Sequence, residues 1–313
     1  VVAYNQQSSE FSLAQCILRN PEPILNHIEK TGRKPVYVPW FSGQMEAEAA
    51  RIIGADLFGA LEKATLQYNE KAEFKNICEK LGIPVVAGTT FEIAPDRNEN
   101  GNDISRAILR LLAGHEDVII RGTLGESGMS LYKTRGDDIP ELYDRIVASG
   151  EKKIIIEPFL DVISSPNDQW VISDDGTIHN LGIADQICEN GMVHIGTQCC
   201  HQQSSRVSAC IMETSHTIVE HMAASGYKGV LGIDYIVTDD GIFPVENNAR
   251  FNGSSYVRLI LDQLEKKTVR VGCWKFIKIA IKPCSFSEII EKLGHLLYDG
   301  NRLNSVFPYN CNL

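Results

Sequence analysis

The sequence predicts an α/β or α+β protein of two or three lobes, and three observations predict it. Segments of helical periodicity alternate with short strand-like runs, the pattern of sheets layered with helices. Two Asp-Asp-Gly turns, at 174–176 and 239–241, sit between strand-like runs and mark hairpins, because such tight turns need the positive φ that glycine supplies. A chain of 313 residues with 43% hydrophobic content buries more than one small core.

Taken in order, residues 34–39 read as a short strand and residues 43–53 as a helix. A clearer helix covers 71–82, with Phe74, Ile77, Cys78 and Leu81 on one face and Gly82 and Pro84 ending it. Val85 and Val86 are expected to begin a strand. Ile104, Ala107, Ile108, Leu111 and Leu112 line one face of the next helix. The run 117–121 is a strand that enters a glycine-rich turn, and Ile139, Leu142, Tyr143, Ile146 and Val147 mark a further helix. From residue 153 the texture changes to a strand, an irregular stretch through Pro166, and the two strand–turn–strand patterns. Between those, residues 208–224 form a helix with Ile211, Met212, Ser215, Ile218, Val219 and Met222 on one side. The second half therefore reads as an antiparallel sheet carrying helices.

Formal net charge is -10 and no block of Lys and Arg stands out, which argues against nucleic acid or an anionic membrane surface as partner. No apolar run approaches the ~18 residues needed to span a bilayer. The chain does not begin with Met, and no basic start followed by an apolar stretch marks a signal peptide. Nine Cys at irregular spacing, without C-x-x-C pairs, read as reduced thiols of a cytoplasmic protein. Cys199, Cys200, His194 and His201 lie close in sequence, but no second ligand pair follows at zinc spacing, so no zinc site is expected.

Three constellations carry chemistry. The first is Gly122-Thr123-Leu124-Gly125-Glu126-Ser127-Gly128-Met129-Ser130, between two strands. Backbone N–H groups in such a turn can approach phosphate oxygens without interference from Cβ atoms. It has no Gly-Lys-Ser/Thr and no following helix, so it is neither a P-loop nor a dinucleotide fingerprint. An ordinary flexible hairpin accounts for it equally well when it is taken alone. The second is Ile155-Ile156-Glu157-Pro158-Phe159-Leu160, a strand running into a segment whose backbone can meet a planar base. Alone, it reads more simply as a strand end with a solvated Glu. The third is Gly232-Ile233-Asp234-Tyr235, the second Asp-Asp-Gly turn, and Val245-Glu246-Asn247-Asn248-Ala249-Arg250. Pairing across the turn can set Asp234 beside Glu246, and Glu246, Asn248 and Arg250 follow at intervals of two, which places them on one face. Two carboxylates, an amide oxygen and a guanidinium on one surface suit Mg²⁺ bridging phosphates, with Arg holding an anion. A merely polar outward hairpin face explains the cost of Asn and Arg at an apolar strand end less well.

The order of these elements resembles the ATP-grasp superfamily over residues ~65 to 255: a helix with an early Lys, a basic residue before a glycine loop, a Glu-x-x-Leu hinge and an Asp…Glu-x-Asn-x-Arg hairpin. Ser165-Pro166, Asp175-Gly176, Ala184-Asp185-Gln186, Gly196 and the terminal Phe307-Pro308-Tyr309-Asn310 further resemble the peptide-ligase subgroup of butirosin and pheganomycin biosynthesis. The resemblance implies two α/β lobes clasping ATP, a central lobe at 66–150 and a C-terminal lobe at 151–313, preceded by a short or truncated N-terminal lobe at 1–65.

The resemblance also implies roles. Lys71 reaches the ATP phosphates, and Arg121 contacts the α-phosphate and the base. Gly125, Ser127 and Gly128 belong to the loop that closes over the phosphates. Glu157, Phe159 and Leu160 form the adenine hinge, and Gln186 lies near the substrates, although an ordinary strand-edge amide accounts for Gln186 equally well. Asp234, Glu246 and Asn248 ligate two Mg²⁺ ions, for which Mn²⁺ can substitute. Arg250, with Lys71, serves catalysis by steadying an acyl phosphate. Asp161 and Ser165 both stand as candidates for the ribose. The implied activity is a peptide-bond-forming carboxylate–amine ligase acting on a small carboxylic acid and an amine, amino acid or peptide, as a possible homodimer. Loading onto an acyl-carrier protein thiol and ATP binding without turnover are the alternatives.

Overall fold

The computed structural model describes residues 11–94, 97–124, 130–199, 204–267, 271, 274–302 and 304–308. The chain runs α1 (Leu13–Arg19), α2 (Glu22–Thr31), β1 (Val36–Tyr37), α3 (Gln44–Ile52), β2 (Asp56–Leu57), α4 (Glu62–Asn69), α5 (Lys71–Lys80) and β3 (Thr89–Glu92). It continues through α6 (Arg97–Leu112), β4 (Val118–Gly122), β5 (Leu131–Thr134), α7 (Ile139–Ala148), β6 (Lys153–Pro158), β7 (Pro166–Ile172), β8 (Ile178–Glu189) and β9 (Val193–Cys199). The last elements are α8 (Ser205–Ala224), β10 (Gly229–Thr238), β11 (Gly241–Asn248), α9 (Gly253–Lys267), β12 (Lys275–Ile277) and α10 (Phe286–Leu293).

Two antiparallel sheets organise the molecule. A four-stranded sheet has the order β3-β6-β4-β5, and a six-stranded sheet the order β11-β10-β7-β8-β9-β12. The pair β1–β2 is parallel. The expected α/β (α+β) class therefore holds, and the segregated antiparallel sheets set it on the α+β side.

Each sheet has its own apolar core. Ile104 and Ile108 of α6 and Leu142, Tyr143 and Ile146 of α7 bury against Val118, Ile120, Ile154 and Ile156 of the four-stranded sheet. Under the six-stranded sheet, α8 buries Ile211, Ser215, Ile218, Val219 and Met222, one stripe at helical spacing. Met212, expected on that stripe, is exposed. Phe74, Ile77 and Cys78 of α5 join the same core, so the helix that opens the expected central lobe packs against the larger sheet. Residues Ala14, Ile17, Tyr37, Ala49, Ala50 and Ile53 form a third, separate core at the N-terminal end.

The expected strand at Val85 and Val86 is absent; β3 begins at Thr89. The Val86 carbonyl instead accepts from the Lys75 ammonium. Gly176 has φ 81°, as the first Asp-Asp-Gly turn requires. Helices α1, α2, α9 and α10 and strand β12 lie where no element was foreseen. No helix among the described residues is long and apolar enough to cross a membrane.

Candidate active site between the two sheets

A cleft of about 1210 Å³ opens between the sheets. That exceeds the ~300–1,000 Å³ of a site for one drug-sized ligand. The wall from the smaller sheet includes Ile119 and Arg121 of β4, Leu131 of β5 and Glu157 of β6. The facing wall includes Gln186 of β8, Asp234 and Ile236 of β10, and Glu246 and Asn248 of β11.

The hairpin β10–β11 builds the polar centre. Asp234 and Glu246 are register partners. Glu246 and Asn248 face the cleft, whereas Asn247 between them points into the core and donates to the Tyr68 carbonyl at 3.2 Å. Asn248 Nδ2 donates to Asp234 Oδ2 at 3.0 Å. The amide of Asn167, on β7, donates to Asp234 Oδ1. Lys71 opens α5 with its side chain inward, 5% exposed, and its Nζ lies 3.2 Å from Glu246 Oε1. Burial, then the neighbouring Glu246, pushes the Asp234 carboxyl up from 3.8 to about 7. Arg250 opposes that rise and also lines the cleft.

This donor set fits a hard divalent cation: two carboxylates and an amide converge, and oxygen donors are what Mg²⁺ takes. A cation bound there would offset both the burial of the Asp234 carboxylate and its repulsion from Glu246. Among the described residues no group of three or more His, Cys, Asp and Glu converges as a metal cluster.

Behind the centre lies an ionic cluster that sequence reasoning found only in part. Glu157 is 3% exposed. Its Oε1 meets Lys75 Nζ at 2.5 Å, and its Oε2 meets Arg121 Nη2 at 2.7 Å and Nε at 3.0 Å. Arg121 Nη1 also donates to the Val245 carbonyl at 2.8 Å, tying the small sheet to β11. The helical spacing of Lys71 and Lys75, one turn apart on α5, was the available signal for Lys75. The hinge segment continues along the cleft with Phe159 and Leu160. Lys133 Nζ sits 4.0 Å from the centre of the Phe159 ring. Of the two ribose candidates, Ser165 lines the cleft and Asp161 does not. Gly125, Ser127 and Gly128 lie outside the described residues.

A buried amide network supports Asp234. Gln169 donates to Asn167 and, at 3.0 Å, to Asn252 Oδ1, while Ser255 Oγ donates to Gln169 Oε1 at 2.6 Å. Asn252 Oδ1 also accepts from Ser254 N and Ser255 N, capping α9. Gly232 lies among these amides, and a Cβ there would collide with Gln169 and Asn252. Nothing in the linear sequence announces this network, because its members come from three distant segments.

The N-terminal segment also reaches the cleft. Trp40 stacks on Tyr256 with ring centres 5.3 Å apart, and Tyr256 stacks on Phe251 at 5.7 Å. Trp40 is thereby a contact with α9 and is 43% exposed along the cleft.

Known proteins share this architecture. The family model described as L-aspartate–L-methionine ligase, ATP grasp, matches residues 121–247. The large chain of carbamoyl phosphate synthase from Deinococcus radiodurans is 22% identical over 253 residues, covering 78% of this chain and 23% of that protein. A biotin carboxylase complexed with β,γ-ATP, from Campylobacter jejuni, superposes with a TM-score of 0.60 at 16% identity, covering 77% of this chain and 54% of that one. D-alanyl-alanine synthetase A from Vibrio cholerae superposes with a TM-score of 0.54 at 14% identity, covering 70% of this chain and 66% of that one. The chain thus spans about half the length of the biotin carboxylase and under a quarter of the synthase. Two antiparallel sheets around one cleft, the matched segment 121–247 and these superpositions together identify the chain as a protein of the ATP-grasp fold.

Proposed function

We propose that the chain is an ATP-dependent carboxylate–amine ligase that forms a peptide-type C–N bond through an acyl phosphate and releases ADP and phosphate. The observation that carries this reading is the facing pair Asp234 and Glu246, with Asn248, Lys71 and Arg250 around them in one cleft. The three-lobe division at 1–65, 66–150 and 151–313 belongs to the same reading, with α5 bridging two of the lobes.

ATP lies between the sheets, its base along Phe159 and Leu160 and its phosphates toward Lys71 and Arg121. Asp234, Glu246 and Asn248 hold Mg²⁺, two ions in the full reading, or Mn²⁺ in its place. The metal supplies neutralisation of the phosphate charge that develops in phosphoryl transfer. A substrate carboxylate oxygen attacks the γ-phosphorus, the bond to the β-phosphate oxygen breaks, and ADP leaves. The amine nitrogen then adds to the acyl carbon, Arg250 steadies the oxyanion, and phosphate departs. Exclusion of water from the cleft during the reaction would protect the acyl phosphate from hydrolysis. Positioning and electrostatics supply the rate, and no covalent enzyme intermediate is needed.

The test is ADP release with Mg²⁺-ATP and a panel of acids, amino acids and short peptides, singly and in pairs, with mass detection of products. ADP rising only with an acid–amine pair, together with a condensed product, supports the ligase. ADP with an acid alone, with a hydroxamate trapped by hydroxylamine, supports the acyl phosphate. ATP binding with no ADP from any mixture would favour a non-catalytic module. Glu246→Gln is expected to abolish ADP formation with the fold intact, and near-normal turnover in that variant would remove the metal assignment.

A further inference from the structure

The cleft is larger than a site for one drug-sized ligand, and the part of its lining from β12 onward is mostly apolar. Strand β12 adds to the edge of the large sheet beside β9. It approaches so closely that a Cβ on Gly196 would collide with the Phe276 carbonyl and lie 3.1 Å from Ile277 Cγ2. The chain then continues as Lys278-Ile279-Ala280-Ile281, and all four residues line the cleft. Ile289 and Leu293 of α10 line it as well, as do Val306, Phe307 and Pro308.

These apolar groups are not core. Ile279 is 68% exposed and Ile281 59%, and α10 has no buried residue. Phe286, Ile289, Ile290 and Leu293 follow at helical spacing on α10, so its apolar stripe lies beside the same space. An apolar surface of this extent marks a binding site more often than an accident of folding.

The wall is continuous with the catalytic centre. A Cβ on Gly253, the first residue of α9, would lie 3.9 Å from Phe276 Cε1 and 3.7 Å from His194 Cε1. Arg250, Asn252 and Gly253 line the cleft at that junction. The catalytic end carries the role that needs the carboxylate, and the lining there includes Arg250. Beyond the centre the described charged lining residues are the cations Lys275 and Lys278, and the acidic residues of the lining are Glu157, Asp234 and Glu246. An anionic head can pair with Arg250, while Ile277, Ile279, Ile281 and Phe307 offer apolar contact past it, and Lys275 and Lys278 disfavour a cationic ligand.

We propose that the acid substrate of this ligase is a carboxylate bearing an extended apolar chain, seated along Ile277, Ile279, Ile281, Ile289, Leu293 and Phe307 with its carboxylate toward Arg250. The proposal rests on the ligase reading for the role of that carboxylate. An acyl chain and the side chain of an apolar amino acid share this chemistry.

The test is equilibrium binding by calorimetry, with and without a non-hydrolysable Mg²⁺-ATP analogue. One arm is acetate, butyrate, hexanoate and octanoate; a second is glycine, norvaline and norleucine; hexylamine is the charge-reversed control. Affinity is expected to rise about fourfold per added methylene, which is the ~0.8 kcal/mol of a buried CH₂ converted to an equilibrium constant. The steeper arm names the source, and hexylamine binds more weakly than hexanoate. Ile279→Asp and Phe307→Asp, both at exposed positions, should flatten the rise while the melting transition stays in place. A flat series in the native chain overturns the proposal, and so does a rise that both variants leave intact. Loss of nucleotide binding or of ADP release would remove the ligase reading, while the chain-length series still reports on the wall.

Discussion

Asp234 and Glu246 face each other as register partners across β10 and β11, and Lys71 Nζ stands 3.2 Å from Glu246. The pair is costly to assemble, since burial and the facing carboxylate raise Asp234 to about 7. Asp234→Asn keeps the shape and removes that repulsion, at the smaller cost of one hydrogen bond accepted from Asn167 or Asn248. Turnover of Mg²⁺-ATP is expected to fall at least ~100-fold, the scale on which a lost electrostatic partner acts. In chelator above pH 7, where the native Asp234 must ionise, the variant should melt higher than the native chain. Paired ADP-release and thermal-melting measurements check both halves, and a variant that melts lower contradicts the assigned repulsion.

Lys75 serves the fold more than the chemistry. Its Nζ lies 2.5 Å from Glu157 Oε1 in a site where both side chains are nearly fully buried. Lys75→Met leaves that carboxylate buried with Arg121 alone. The expected loss is about 3 kcal/mol in urea unfolding, the lower end for breaking a buried pair, because Arg121 remains. A loss within ~0.5 kcal/mol, as at an ordinary surface site, would mean that the pair is solvated.

Gly232 has no room for a side chain. A methyl group there would press on Gln169 and Asn252, and through Asn167 on Asp234. Gly232→Ala should cost ~1–3 kcal/mol as an overpacked site. It should also weaken Mg²⁺-dependent nucleotide binding more than metal-free binding, readable by titration with and without the ion. Equal weakening of both would place the effect outside the metal centre.

His194 lines the cleft, and burial, then Lys278, holds it below the ordinary 6.5. The unfolded chain therefore takes up this proton first as pH falls. Stability should drop as pH is lowered from 6.5 toward the depressed folded value, and be unaffected by this group above 6.5. Replacing the imidazole in His194→Gln should remove that part of the slope in urea unfolding across the window. An unchanged slope would assign it to another group.

The sequence by itself determined the elements whose signals are local. The stripe of Phe74, Ile77 and Cys78 on α5, the two Asp-Asp-Gly turns and the spacing of Glu246, Asn248 and Arg250 are set within a few residues of chain, where periodicity and turn chemistry act. The ATP-grasp fold was legible from the order of such signals. Tertiary structure alone decided the rest. Strand β12 is three residues long and exists because Gly196, some eighty positions earlier, lets it approach. Val86 reads as a strand residue, yet it lies outside the ladder and its carbonyl accepts from Lys75, whose buried ammonium needs acceptors. Asn167, Gln169 and Asn252 look unremarkable in sequence and form one network in space. Local preference works through neighbouring residues, whereas buried charge and close packing are settled between segments that meet only once the chain has folded.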